Sequence, residues 1–221
     1  MGAITRNLAF NVLTGGVLHR SVLENASLAN VTSIPGAGGG SFTIVQKQTC
    51  SDSSTIEFTS IGTHKAYLMT FNQVHPSADG ADIQFSATSN GSDWNVPKYG
   101  GGNEFLSSKN GSYGQHQYRT DHQATNDTGN HKFFRDAGNA NEECMNGWLW
   151  IMNPHMTTSY KTYHGRFWGS INDIAGSTDG TIAHMFNGFM NQTSAVTGFR
   201  ISPNSGNLQT GVITLYGLDQ S

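Results

Sequence analysis

Residues 195–218, AVTGFRISPNSGNLQTGVITLYGL, decide the fold class. Phe199 and Ile201 alternate with polar neighbours, the period-2 signature of a half-buried strand. The run from Ser202 to Asn207 supplies turn residues, and Pro203 cannot donate to a central ladder. From Gly211 to Leu218, Ile213 and Leu215 point to one face, Val212 and Tyr216 to the other. Apolar groups on both faces predict a strand covered on both sides. The segment therefore reads as the closing hairpin of an antiparallel sheet.

Working backwards, similar strands recur. Segments 41–49, 55–60, 66–74 and 82–88 all show alternation, with Asp79-Gly80 as turn chemistry between the last two. Segments 147–153, 159–171 and 181–190 follow. Roughly nine or ten short strands with turns between them predict an all-β chain, an antiparallel β-sandwich of jelly-roll-like form. Composition agrees. The 221 residues include 27 glycines and only 12% charged residues. Abundant Asn, Ser and Thr, with few Lys and Glu, suit turns and strands over helices.

Residues 1–40 read as an attachment arm with a Gly-rich hinge at 35–40, joined to a sandwich at 41–221. Ile4, Leu8 and Val12 share a helical face, with Phe10 and Leu13 beside them, so the arm is expected to be a short helix or extended. A helix of that length is unstable alone. It serves as an assembly anchor or folds back on its own body. Between 89 and 146 aliphatic residues become scarce, and a long polar insertion is expected, with 98–106 and 114–120 as short edge strands.

The excess of 15 acidic over 12 basic residues excludes a basic footprint for nucleic acid. No run of about 18 apolar residues is present for membrane insertion, and no secretion signal is seen. Cys50 and Cys144 are expected to be reduced. Catalytic signatures are missing: no G-x-S-x-G, no H-E-x-x-H and no phosphate-binding loop. No enzyme, cofactor or metal is expected. His116, His122 and His131 are spaced irregularly for a metal, and turn chemistry explains Asp79 and Asp82 better than calcium. Trp94, Tyr99, Tyr113, His116, Tyr118 and His122 are the candidate ligand-binding residues. Rigid aromatics among adaptable polar groups are what recognition surfaces use, and sugars stack on such rings.

Several segments carry a resemblance: SLANVTSIP (27–35), STIEFTSIG (54–62), HPSADGADIQF (75–85), IMNP with TTSYKTYHGRF (151–167) and MNQTSAVTGFRISPNSGNLQTGVITLYGL (190–218). Together they resemble virion structural proteins of marine tailed bacteriophages, the pattern SGN-x-x-x-G-x-I-x-LYG being the most specific. The resemblance implies a β-sandwich displayed as an oligomer on a tail fibre, tail tip or capsid surface. It implies assembly in a host cytoplasm and other virion proteins as partners. Three-fold appendages are common in such particles, so a homotrimer is expected, with a host-surface glycan or protein as the outward ligand. Ile4, Leu8, Phe10, Val12 and Leu13 would dock the arm. A capsid decoration protein, a carbohydrate-binding module and a glycan depolymerase are the alternatives.

Overall fold

The computed structural model describes residues 41–140, 142–174 and 178–219. The arm residues Ile4, Leu8, Phe10, Val12 and Leu13, and the glycine hinge, lie outside them. The described chain is all-β, and its twelve strands are β1 (Ser41–Thr49), β2 (Ile56–Thr59), β3 (Ala66–Pro76), β4 (Ala81–Thr88), β5 (Lys98–Ser108), β6 (Gly114–Asp127), β7 (His131–Ala137), β8 (Met145–Met152), β9 (Lys161–Ile174), β10 (Thr178–Met190), β11 (Gly198–Pro203) and β12 (Leu208–Asp219).

Two antiparallel sheets form unequal layers. The large sheet has the order β1-β12-β3-β8-β9-β10-β5-β6, the small one β2-β11-β4-β7. Alternation explains the layering. Tyr67, Met69 and Phe71 of β3, Leu149 and Ile151 of β8, and Phe167 and Phe186 of β9 and β10 are buried on one side of the large sheet. Phe58, Phe85, Phe199 and Ile201 are buried on the facing side of the small one. Rings meet between the layers. Tyr67 stands edge-on to Phe199 at 5.6 Å, Phe85 lies 5.6 Å from Tyr163, and Phe133 lies 4.3 Å from Phe167. Such pairs add about 0.5–1.5 kcal/mol each beyond the area they bury.

The closing hairpin is corrected. β11 pairs with β2 and β4 in the small sheet, while β12 pairs with β1 and β3 in the large one. Residues 204–207 form an arch from one layer to the other. Its two asparagines tie the arch to three other parts of the chain. The Asp82 amide donates to Asn204 Oδ1 at 2.8 Å, Asn207 donates its amide to Ser77 Oγ at 2.9 Å, and Asn207 Nδ2 donates to Asp52 Oδ1 at 3.1 Å. Nor does a second layer of described residues cover the outer side of β12; Val212 and Tyr216 are half-buried by lateral neighbours.

Segment 89–146 is more regular than expected. The strands expected at 98–106 and 114–120 are present as β5 and the longer β6, and β7 is a third. Of its expected edge strands, β5 is interior and β6 is an edge. Both cysteines are free thiols, Cys50 buried and Cys144 half-buried.

Gly211 sits where β3 bulges. Its φ is +115°, and a Cβ there would meet Gln73 O at 2.6 Å and Val74 Cα at 2.7 Å. The bulge falls between Phe71 and Val74, with Gln73 itself at φ 51° and its amide held by Asn146 Oδ1 at 2.9 Å.

Candidate functional site

The outward side of the large sheet is where the exposed aromatic residues gather. Register rows place them side by side. Ile44, Tyr216, Leu68, Trp150 and His164 form one row across β1, β12, β3, β8 and β9. Trp148, Arg166, Met185 and Asn103 form the next, continuing to Tyr118 of β6. Phe42 and Ile44, at 52% and 60% exposure, mark the β1 end. Phe42 touches Trp150 at 5.8 Å and Tyr216 at 6.3 Å.

At the other end β5, β6 and β10 build a groove of about 320 Å³. Its lining is Tyr99, Asn103 and the run Gly100–Gly101–Gly102 on β5, Tyr118 on β6, and Asn187, Gly188 and Phe189 on β10. Sequence pattern explains the glycines. A Cβ on Gly100 would strike Asn187 O at 2.4 Å and His131 Cε1 at 2.7 Å on the inner side. On the outer side, a Cβ on Gly101 would meet Tyr118 Oη at 3.0 Å and Cε2 at 3.3 Å. Tyr118 therefore lies down over a residue without a side chain, yet stays 53% exposed. Opposite it runs a ladder of parallel rings. Tyr99 stacks on Phe189 at 5.2 Å and 18°, and Phe189 on Tyr160 at 5.5 Å and 13°. A second groove, about 410 Å³, runs beside Phe105, Ala183 and Trp168.

The same strands carry a charged cluster on their inner side. His184, Glu104 and Gln117 form one row across β10, β5 and β6. Glu104 is fully buried. Arg135 reaches it from β7 with two nitrogens: Nη2 donates to Oε1 at 2.8 Å and Nε donates to Oε2. Gln117 Nε2 adds a bond at 2.9 Å. Burial pushes the Glu104 carboxyl upward, but these donors outweigh it and hold it below the usual range. His122 stacks on His184 at 4.9 Å. Burial is the main cause that lowers both imidazoles, to about 4 for His122 and about 3 for His184. Both rings are thus neutral at pH 7. The arrangement ties β5, β6, β7 and β10 together and leaves Glu104 no free oxygen for acid–base work.

Three sequence candidates fall on the outer surface here: Tyr99 and Tyr118 in the groove, and His116 stacked on Phe105 at 4.4 Å. Three do not. His122 is 1% exposed, inside the sandwich, because the register of β6 shifts between Arg119 and Ala124 and turns it inward. Trp94 lies under the Arg200 guanidinium, 4.9 Å from its ring centre, a cation–π contact on the small sheet. Tyr113 packs half-buried against the core at the β5–β6 turn. His131 is also buried, its nitrogens on Tyr163 Oη and His122 O, each at 2.7 Å. Among the described residues no three His, Cys, Asp or Glu side chains are placed to hold a metal. Asn103, Tyr160, Asn187 and Phe189 were not among the sequence candidates; the Gly100–Gly101–Gly102 run was the available signal of close approach. No family model, curated protein or solved structure matches the chain.

Proposed function

We infer that the chain is a bacteriophage virion structural protein, a tail fibre or tail-associated adhesion component that presents its β-sandwich outward for host-surface recognition. The observation that carries this reading is the resemblance of residues 190–218 to virion proteins of marine tailed phages. Those residues supply β11 and β12, each paired on both sides, one in each layer. Similarity there bears on the whole body rather than on one loop. The protein is not an enzyme in this reading and takes no cofactor. Residues 1–40 dock it to other virion proteins, assembly occurs in the host cytoplasm, and three copies associate. The apolar end of the outer face, with Phe42, Ile44 and Tyr216, offers the copies a contact surface.

Mass spectrometry of purified particles from a phage encoding this chain tests the reading. Its peptides are expected at the abundance of a structural component, on the tail or on the capsid surface. Their absence would overturn it. A free carbohydrate-binding module is the second reading, favoured by the stacked Tyr99, Phe189 and Tyr160 rings; it predicts that same absence together with sugar binding.

A further inference from the structure

We propose that the groove between β5, β6 and β10 binds an uncharged polysaccharide, its sugar rings stacking on Tyr118 and on the Tyr99–Phe189–Tyr160 ladder. The proposal rests on the adhesion reading above and names the ligand class that such an adhesin would take.

Three features of the groove carry it. First, its lining contains no Asp, Glu, Lys, Arg or His. Neither sign of charge is there to complement an ionic ligand, so an anionic polymer or a phosphorylated headgroup has no partner. Second, it contains no aliphatic side chain either; the lining is aromatic rings, glycines and the amides of Asn103 and Asn187. A lipid chain or an apolar peptide would find no aliphatic wall and would bury two side-chain amides without partners. A pyranose matches both halves of this chemistry. One face presents polarised C–H groups, which the negative face of an aromatic ring attracts. Its rim presents hydroxyls, which amides can both donate to and accept from. Third, the Tyr118 ring is held before any ligand arrives. It rests on Gly101 in the place of a side chain, so little rotamer freedom is left to lose on binding.

The track extends beyond one sugar. Asn187 in this groove and Ala183 in the groove beside Phe105 and Trp168 both lie on the outward ridge of β10. At about 3.3 Å per residue they stand about 13 Å apart. Phe105 and Trp168 are 42% and 45% exposed, further rings along the same line. An extended polymer engages both grooves where a monosaccharide engages one.

Affinity electrophoresis of the full chain through native gels tests this. The gels contain mannan, xyloglucan or laminarin as neutral polymers, or alginate as a charged one. At least one neutral polymer is expected to retard the protein. Tyr118→Ala and Asn187→Ala should each weaken that retardation at least tenfold, and Thr59→Ala, at an exposed position of β2 in the small sheet, should leave it unchanged. Gly101→Ala, whose Cβ would stand 3.0 Å from Tyr118 Oη and shift the ring by a few tenths of an ångström, serves as the second variant if Tyr118→Ala melts early; it should weaken retardation as well. No retardation by any neutral polymer overturns the proposal. So does retardation by alginate alone, or retardation that all three groove variants leave intact. A change in sedimentation mass on Tyr118→Ala would make the groove a subunit contact and also overturns it. Presence in particles without sugar retardation sinks the site and spares the virion reading; retardation with absence from particles does the reverse.

Discussion

Arg135, on β7 of the small sheet, grips Glu104, on β5 of the large sheet, with two of its nitrogens. Glu104 is fully shielded from solvent while Arg135 keeps one edge near it. The pair therefore bridges the layers through a buried charge. Such a pair is weak evidence of net stabilisation, but removing one partner is costly.

Arg135→Met should thus destabilise the protein by about 3–5 kcal/mol, because Glu104 is left buried without its bidentate partner, keeping the Gln117 hydrogen bond and only longer approaches from Arg119 and His184. Urea denaturation checks this through the midpoint at unchanged slope. The double variant with Glu104→Leu should recover much of the loss, since the unpaired charge is then gone.

Acid should loosen the same region before the rest. His122, His131 and His184 are held near 4, 4 and 3, chiefly by burial. In the unfolded chain each titrates near 6.5. Between those values the unfolded state binds more protons than the native one, so stability rises with pH there. The contribution is complete above about pH 6.5 and is lost as pH falls towards 4, at up to about 1.4 kcal/mol per pH unit for each histidine. Thermal melts from pH 7.5 to 4.5 should show a falling Tm. Replacing His184 by Gln should flatten that dependence, and an unchanged slope would contradict the assignment.

Tyr163→Phe removes one hydroxyl from the core. His131 Nε2 can only donate to the His122 carbonyl, so in the neutral ring Nδ1 accepts the proton of Tyr163 Oη. Without it a buried acceptor is orphaned, at about 1–3 kcal/mol. Differential scanning calorimetry should record the drop, and Phe at 163 should leave the far-ultraviolet circular-dichroism spectrum unchanged.

Gly211→Ala should be poorly tolerated although Gly211 lies in a strand. Its left-handed φ costs an alanine about 1–3 kcal/mol, and the added Cβ falls 2.6 Å from a backbone oxygen of the β3 bulge. Gly114→Ala at the start of β6 makes the contrast, its nearest neighbour standing 3.7 Å away; it should change the urea midpoint little.

Most strand positions were legible because their inward residues are apolar and alternate. β3 and β8 show this most plainly, with Met69, Phe71, Leu149 and Ile151 all inward. The signal was weaker in β5 and β6, expected only as short edge strands, because their inward residues include Gly100, Gly102, Glu104 and Gln117, which carry no hydrophobic period; the length of β6 and the interior place of β5 were therefore missed. It failed at residues 204–207. Asn, Ser and Gly suit a hairpin and an arch between layers equally well, and alternation reports which face is buried, not which sheet holds the strand. Of the candidate site, Tyr99, His116 and Tyr118 were legible from composition. His122 was not separable from them, because only the register shift in β6 sends it inward.

That arch governs the order of assembly. β1 pairs with the large sheet only through β12, which enters between β1 and β3. The earliest described strand must wait for the latest before it has a neighbour. A ribosome would release Phe42 and Ile44 long before β12 could shelter them, so the large layer closes only after β12 has been made. Cutting the chain before Leu208 would strand β1 outright and strip β3 of one flank.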